Sequence, residues 1–158
     1  MQRFAPAEIE LEFADGEYLF RLPAKQIAEL QERRGYKVTW PDGAVGHRPK
    51  ALGTIWREHL AGEADPQDSR EVIRLALIGG GKASINGVPR EIDRTAAKLL
   101  VEDEVEAWPE MDIVKLATNI LLACCNGFRP PEDKDDPPKK PKRRAKTSSS
   151  TSPQPPPT

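Results

Sequence analysis

The residues with the clearest chemical potential are a glycine cluster followed by a lysine, Gly79-Gly80-Gly81-Lys82. A phosphate-binding loop needs a further glycine upstream, a hydroxyl residue directly after the lysine and a preceding strand. Here Ala83 follows the lysine, and the segment before the glycines has the spacing of a helix. The pattern therefore favours a helix C-terminus, and the three successive glycines leave room for a hinge or for the tight approach of another backbone.

The histidines and serines form no recognisable catalytic motif. His47 and His59 are the only histidines, and neither lies near a cysteine in the sequence. His59 falls on the apolar side of a predicted helix, which favours a core or boundary histidine over a metal ligand or a general base. Ser69 and Ser84 have no base nearby in the sequence, and the acids within 102–106 are typical of a solvated helix face. The sequence therefore predicts no enzyme, no cofactor and no metal site.

Two further groups have reactive or charged side chains. The cysteines are adjacent, Cys124 and Cys125, so they make no ordinary disulfide framework and no metal site on their own. A regular helix turns one of the two thiols outward, although buried packing is the commoner role of cysteine. The basic run from Lys139 to Lys146 contains no aromatic residue, so nucleic acid would bind there nonspecifically and with strong salt dependence. An acidic protein surface and a solubilising role are the alternatives.

Composition divides the chain after residue 128. Residues 129–158 contain a single residue of the hydrophobic class, Ala145, and they carry 8 basic and 4 acidic side chains. Residues 1–128 carry 16 basic and 21 acidic side chains, so an acidic body and a basic tail together give the net charge of -1. We expect one folded domain, 1–128, and a disordered tail rich in Pro, Lys and Ser, 129–158.

Neither a membrane span nor a secretory signal is predicted. The longest apolar run near the C-terminus is interrupted by Lys115 and Asn119 and falls short of the roughly 20 residues that a bilayer span needs. The first ten residues include charged side chains where a secretory signal would be apolar. We therefore expect a cytoplasmic protein without a membrane partner.

The elements begin with a β-hairpin. Residues 8–13 alternate glutamate with apolar residues, Asp15-Gly16 suits a tight turn, and a second alternation extends to Leu22. A hairpin alone is marginal in water, so its apolar face needs a cover, and the helix that follows from Pro23 to Gly35 is the candidate. Residues 36–49 are predicted to form a loop or a second small hairpin.

The rest of the domain is predicted to be helical. Apolar spacing, caps and breakers place a central, nearly all-apolar helix before the triglycine, with others on both sides of it. The predicted helices are 49–61, 65–78, a helix from about Pro89 to Val105, and 111–126. The fold class is therefore α+β, with an N-terminal β-hairpin, a small bundle of four to five helices and a disordered C-terminal tail.

Residues 7–128 resemble a known family. The matching segments are Phe13 to Leu22, Leu52 to Ile55, Leu60 to Gly62, Asp68 to Gly81 and Leu116 to Gly127. These segments resemble the gene transfer agent family of phage tail assembly chaperones. The central segment, which ends in the triglycine, looks like the most distinctive part of that family's pattern. The stretch 36–49 is an insertion relative to this pattern, and the tail lies outside it.

The resemblance implies a protein that acts in the bacterial cytoplasm during assembly of a phage or phage-like tail. It would bind the tape measure protein, and the tail tube protein and a second copy of itself are further candidate partners. We expect the partner to lie on the apolar helices; the alternative is that the same residues only fill the domain's own core. The candidate partner-binding residues are Trp56, Val72, Leu75, Ile78, Gly79, Gly80, Gly81, Trp108 and Leu121.

Two other functions stay open from the sequence. A nucleic-acid-binding regulator would act through the basic tail at Lys139 to Lys146, although the acidic body opposes it. A structural tail component would have the same sequence pattern but would remain in the finished particle.

Overall fold

The computed structural model describes residues 5–129 and 156–157. The predicted α+β fold class is confirmed, because an N-terminal β-hairpin precedes five α-helices. The predicted disorder of the tail and the basic run Lys139 to Lys146 lie outside the described residues.

Six strands and five α-helices form the described part of the chain, with a short 3₁₀ helix at Val105–Ala107. The strands are β1 (Glu8–Phe13), β2 (Gly16–Arg21), β3 (Tyr36–Thr39), β4 (Val45–Arg48), β5 (Lys82–Ile85) and β6 (Val88–Glu91). The helices are α1 (Ala24–Arg33), α2 (Leu52–Ala61), α3 (Pro66–Gly80), α4 (Arg94–Asp103) and α5 (Glu110–Asn126).

Four strands form an antiparallel sheet in the order β1-β2-β5-β6. Alternation along β1 and β2 puts their glutamates on the outer face and, except for Leu19, their apolar residues on the inner one. The buried residues of the inner face are Ile9, Phe13, Tyr18, Phe20 and Ala83. Helices α3 and α5 pack on this face, whereas α1 packs against α3. The prediction that α1 covers the hairpin was therefore wrong, because the more apolar α3 takes that position.

The second hairpin of this sheet was not predicted. Pro89 was expected to begin a helix, but it lies in β6. Helix α4 begins only at Arg94. The side chain of Asp93 caps this helix by accepting a hydrogen bond from the Ala96 amide at 2.8 Å. Asn86 and Gly87 both have positive φ angles, 52° and 74°, as a type I′ turn requires. The Asn-Gly pair was thus the signal for a hairpin.

The first hairpin differs in its turn. Phe13 pairs with Gly16, so the two turn residues are Ala14, with a φ of 51°, and Asp15. Gly16 was expected in the turn but opens β2, and a Cβ at that position would lie 2.3 Å from the Ser84 carbonyl oxygen of β5. The glycine is needed there for close strand approach.

Helix α3 is the centre of the molecule. Asp65 caps it by accepting a hydrogen bond from the Gln67 amide at 2.8 Å, and Gly81 ends it with a φ of 66°. Gly79 and Gly80 lie in its last turn, where an added Cβ would lie 2.1 Å from the Arg21 carbonyl oxygen and 1.8 Å from that of Leu19, respectively. The sequence left two further roles open for the triglycine besides ending the helix, a hinge or the tight approach of another backbone. The structure confirms the second.

Residues 36–49 were predicted to form a loop or a second small hairpin, and the structure shows the hairpin. Strands β3 and β4 pair with each other as a separate two-stranded sheet. Three of the exposed large apolar side chains belong to this hairpin, Tyr36, Trp40 and Val45.

Candidate functional site

A cluster of buried polar side chains surrounds the first turn of α3. Asp68 is 1% exposed and Ser69 is fully buried. Asp68 accepts hydrogen bonds from Arg34, just after α1, and from Lys50, just before α2. The Lys50 ammonium nitrogen also lies 2.7 Å from a carboxylate oxygen of Glu58. This ion-pair cluster ties α1, α2 and α3 together at one end of the domain.

His59 and Ser69 form a second part of the same cluster. The Nδ1 atom of His59 lies 2.7 Å from the Ile55 carbonyl oxygen, and its Nε2 atom lies 2.9 Å from Ser69 Oγ. A carbonyl oxygen only accepts, so Nδ1 carries the proton and Nε2 accepts a hydrogen bond from the Ser69 hydroxyl. The structure thus brings a base to Ser69, which the sequence could not indicate because the two residues lie on different helices.

The contact between Ser69 and His59 has the geometry of a nucleophile and its base, but it is closed to substrate. Ser69 is fully buried and His59 is 3% exposed. A backbone carbonyl, rather than a carboxylate, orients the ring. The prediction of a satisfied core histidine is therefore confirmed for His59.

The environment sets the charges of this cluster. Burial lowers the pKa of His59 and outweighs the opposing effects of the Ile55 carbonyl, Asp68 and Glu58. Burial also acts to lower the pKa of Lys50, but hydrogen bonds to Asp68 and Glu58 reverse the effect and raise it. A neutral imidazole therefore lies beside a charged ammonium, which suits a structural cross-link.

An arginine-rich cleft of about 620 Å³ opens between α1, α3 and α4. Glu29 of α1 pairs with one of its arginines: the two carboxylate oxygens of Glu29 accept hydrogen bonds from Arg94 at 2.9 and 2.6 Å. The hydrogen bonds from Arg94 lower the pKa of Glu29 to about 2, and Arg74 contributes in the same direction. Within the described residues, each arginine of the cleft has a carboxylate within 4 Å. The cleft therefore offers no unpaired guanidinium to an anionic ligand.

The nine candidate partner-binding residues all lie in or against the core. Val72, Leu75 and Leu121 are fully buried, and Trp56, Ile78 and Trp108 are partly buried against the same cluster. The ring of Trp108 packs edge-on against Phe13 at a centroid distance of 5.4 Å. The glycines Gly79, Gly80 and Gly81 form the end of α3 beside β2. In this conformation the nine residues contribute to the domain's own packing, and their contact with a partner stays a prediction, which at Val72, Leu75 and Leu121 would require the core to open.

A different apolar surface is exposed. Leu60 at the end of α2 is 60% exposed, and Met111 and Leu122 on α5 are 59% and 41% exposed. A groove of about 450 Å³ separates the end of α2 from α5. The sequence did not single out Met111 and Leu122 because α5 is apolar on most sides, and periodicity alone does not show which side faces the core.

The two cysteines differ as a regular helix requires. Cys124 is half-buried, with its sulfur 3.8 Å from the Leu22 carbonyl oxygen, and Cys125 is exposed. Burial raises the pKa of Cys124 to about 11 and also raises the pKa of Cys125. Both thiols are therefore protonated at neutral pH, which makes them weak nucleophiles.

Comparison of the chain with protein-family models, with curated proteins and with solved structures gave no match. Among residues 5–129 and 156–157, no group of three or more His, Cys, Asp or Glu side chains is arranged to hold a metal ion. In the same part of the chain, none of the helices combines the length and the apolar character needed to cross a membrane.

Proposed function

We propose that this protein is a tail assembly chaperone of a phage or gene transfer agent, which binds the tape measure protein in the bacterial cytoplasm while the tail tube forms. The observation that carries the proposal is the pair of exposed apolar side chains Leu60 and Met111, which line one groove between α2 and α5, with Leu122 exposed farther along α5. Apolar area left in water costs about 25 cal/mol per Å², and exposed apolar surfaces often mark interaction sites. A surface on two neighbouring helices suits a helical partner.

The family resemblance supports the same function. Its most distinctive segment, Asp68 to Gly81, forms most of α3 and its C-cap. Within this segment, Asp68 and Ser69 belong to the buried polar cluster and the apolar residues fill the core. Gly79 and Gly80 allow the backbone of β2 to approach α3 closely. Each part of the pattern therefore has a role in the fold.

The direct test is co-purification with a tape measure protein, which the proposal expects to be encoded in the same gene cluster. The full chain, tagged at one end, is co-expressed with the tape measure protein, and an equal preparation without the chain serves as the control. We expect a soluble complex only when both are present. A tape measure protein that stays insoluble or unbound in the presence of the chain would contradict the proposal.

Mass spectrometry of intact tails separates the proposal from a structural role. A chaperone is released before the particle is complete, so we expect the chain to be absent from purified tails. Stoichiometric amounts of it in those tails would identify a structural component instead.

A further inference from the structure

The four-stranded sheet has an open edge at β1. Strand β1 pairs with β2 on one side, and no other segment of the described residues pairs with its opposite side. Phe13 and Gly16 flank a two-residue turn, so they form a hydrogen-bonded pair, and hydrogen-bonded pairs alternate with non-bonded pairs from there along the hairpin. The backbone N–H and C=O groups of Glu8, Glu10 and Glu12 therefore point away from β2. We call these three residues the acidic edge.

The side chains at this edge are unpaired anions on one face of the sheet. They lie on the outer face, where Glu17 of β2 is directly opposite Glu12. In the part of the chain that the structure describes, none of these four glutamates has a lysine, arginine or histidine nitrogen within 4 Å, although Arg21 of β2 is opposite Glu8. A segment that pairs with this edge would therefore be stabilised by positive charge on its outer face.

A second copy of β1 does not meet that requirement. Antiparallel pairing of two acidic edges would place glutamates opposite glutamates, because only these residues direct their backbone groups outward. Like charges directly opposite each other destabilise a strand pair. The other edge strand of the sheet, β6, contains Pro89, which has no N–H to donate. The acidic edge is thus the better site for an added strand, and its complement is a basic extended segment.

The chain itself contains such a segment, the basic run from Lys139 to Lys146, which has no acidic residue. Pro141 has no N–H, so in an added strand its nitrogen must face away from β1. Backbone direction alternates along a strand, and opposite residues of an antiparallel pair have their side chains on the same face. The residues that then face the acidic edge, with side chains beside its glutamates, are Lys140, Lys142, Arg144 and Lys146. The position of the proline therefore selects four basic residues.

The covalent connection brings the basic run to this edge. The tail begins beside the start of β1, where the Phe128 amide donates a hydrogen bond to the Pro6 carbonyl oxygen at 2.8 Å. The ten residues 129–138 extend to at most about 33 Å, whereas the six residues of β1 span about 20 Å. The chain is therefore long enough to pass the far end of β1 and return antiparallel to it.

The connection also removes the need for a large interface. A single added strand is smaller than the roughly 800 Å² that each partner buries in a stable complex of separate proteins. A short linker holds a segment at an effective concentration of about a millimolar, so a weak contact within one chain is populated. The linker 129–138 carries four acidic and two basic side chains, so the acidic edge attracts the basic run rather than the linker.

We propose that residues 140–146 of the same chain add to the sheet as an antiparallel strand beside β1 and cover the acidic edge. In this register Arg144 lies beside Glu10. Lys146 lies beside Glu8 at the end of the strand. The contact closes an edge that is otherwise open to pairing with other chains. The inference is independent of the proposed function, because it concerns two parts of one chain.

Amide hydrogen exchange of the full chain, followed residue by residue by NMR, tests the contact. The three amides of the acidic edge donate to the added strand, so we expect their protection to be about tenfold higher in the wild type than in a variant carrying Arg144→Glu and Lys146→Glu. The amides of Leu11 and Phe13, which bond to β2, are the internal reference and should not change. Both substitutions lie outside the folded core, so the variant retains the domain.

The matched control carries Lys139→Glu and Arg143→Glu. It changes the charge of the basic run by the same amount, but at positions whose backbone faces away from β1 in the proposed register. We expect protection of the acidic edge to stay within about twofold of the wild type. Equal loss of protection in the two variants would show a contact without a strand register and would overturn the proposal.

Charge reversal tests the pairing from the other side. The exposed-face substitutions Glu8→Lys and Glu10→Lys should lower the protection of the remaining edge amides, and circular dichroism checks that the sheet is intact. Combining them with Arg144→Glu and Lys146→Glu should restore the protection. Failure of the combined variant to regain it, while its circular dichroism matches the wild type, would contradict the proposed register.

The wild-type chain gives two further decisive results. Protection of the acidic edge should be independent of protein concentration and should fall as salt rises to about 0.5 M, which screens exposed charge pairs. Protection that rises with protein concentration would identify the tail of a second copy as the occupant. Unprotected edge amides at low salt would show that the edge is open. Either result overturns the proposal.

Discussion

At the scale of single residues, burial decides what chemistry is available. Ser69 and His59 are in hydrogen-bond contact, yet both are buried and the ring is oriented by the Ile55 carbonyl. The same atoms in an open cleft would resemble a nucleophile and its base. Here they satisfy each other between α2 and α3, which a buried polar pair must do to avoid a cost of about 1 to 3 kcal/mol.

The lowered pKa of His59 predicts a pH-dependent stability. The unfolded histidine takes up a proton near its ordinary pKa of 6.5, whereas the folded ring resists protonation despite Asp68 and Glu58 nearby. The unfolded state therefore binds more protons in this window, and the free energy of unfolding should fall as pH decreases from 7.5 to below 6.5. Urea denaturation at several pH values measures this slope.

Two variants test whether His59 causes this pH dependence of the free energy of unfolding. His59→Gln should have a lower free energy of unfolding at pH 7.5 and a shallower decrease with acidification. His47→Gln is the control, because His47 lies on the exposed β4 strand. Equal slopes in the wild type and the His59→Gln variant would contradict the assignment.

The close approach of α3 to the sheet predicts a large effect at Gly80. A methyl group there would lie 1.8 Å from the Leu19 carbonyl oxygen, so Gly80→Ala should destabilise the domain by about 3 kcal/mol. Gly53→Ala is the matched control, because that helical glycine has open space around it and should gain about 0.5 to 1 kcal/mol. Chemical denaturation measures both, and equal effects would show that α3 can shift freely.

At the scale of elements, the sequence predicted the strands and helices that have a strong hydrophobic period or a clear cap. The alternation in β1, and the capping pair Asp65-Pro66 of α3, each act within a few residues and were interpreted correctly. Strands β5 and β6 have four residues each, and every residue of β6 is exposed, so neither carries a readable alternation. Which helix covers the sheet depends on packing between distant segments, and local patterns do not contain that information.

The candidate site shows the same limit. The sequence predicted that α5 is rich in apolar residues, and Leu121 was selected from the half that turned out to be core. Met111 and Leu122 are equally apolar but face water. Only the position of α5 against α3 and the sheet decides which side is buried, so the exposed apolar residues could not be chosen from periodicity.

The β3-β4 hairpin is predicted to be dispensable for folding. Its ends meet, because a Cβ at Gly35 would lie 2.5 Å from the Arg48 carbonyl oxygen. Replacing 36–48 by a short Gly-Ser linker should therefore leave the four-stranded sheet intact and change the free energy of unfolding by about 1 kcal/mol or less. Circular dichroism and denaturation test this, with the intact chain as the reference. Loss of cooperative unfolding would show that the hairpin is part of the core.

At the scale of the whole molecule, ion pairs connect helices that are distant in sequence. Glu29 of α1 joins Arg74 of α3 and Arg94 of α4. Because the folded pKa of Glu29 is about 2 and its ordinary value is 4.5, its stabilising contribution is present above pH 4.5 and is lost as pH falls toward 2. Glu29 is one-fifth exposed and Arg94 half exposed, so solvent reduces the contribution to about 1 kcal/mol.

The Glu29→Gln variant tests this linkage. We expect a free energy of unfolding about 1 kcal/mol below that of the wild type at pH 7, with the difference shrinking between pH 4.5 and 2. Glu12→Gln is the control, because Glu12 is an exposed residue of the outer sheet face. A constant difference across that pH range would show that the charge of Glu29 is not the cause.

The two ends of the folded domain lie side by side, since the Phe128 amide donates a hydrogen bond to the Pro6 carbonyl oxygen at 2.8 Å. This permits circular permutation. A short linker could join residues 5 and 129, and new termini could open at the exposed tip of the β3-β4 hairpin around Asp42. Such a permutant would keep every element in place, and it would free the side of the molecule where the chain now enters and leaves for the attachment of a fluorophore or a solid support.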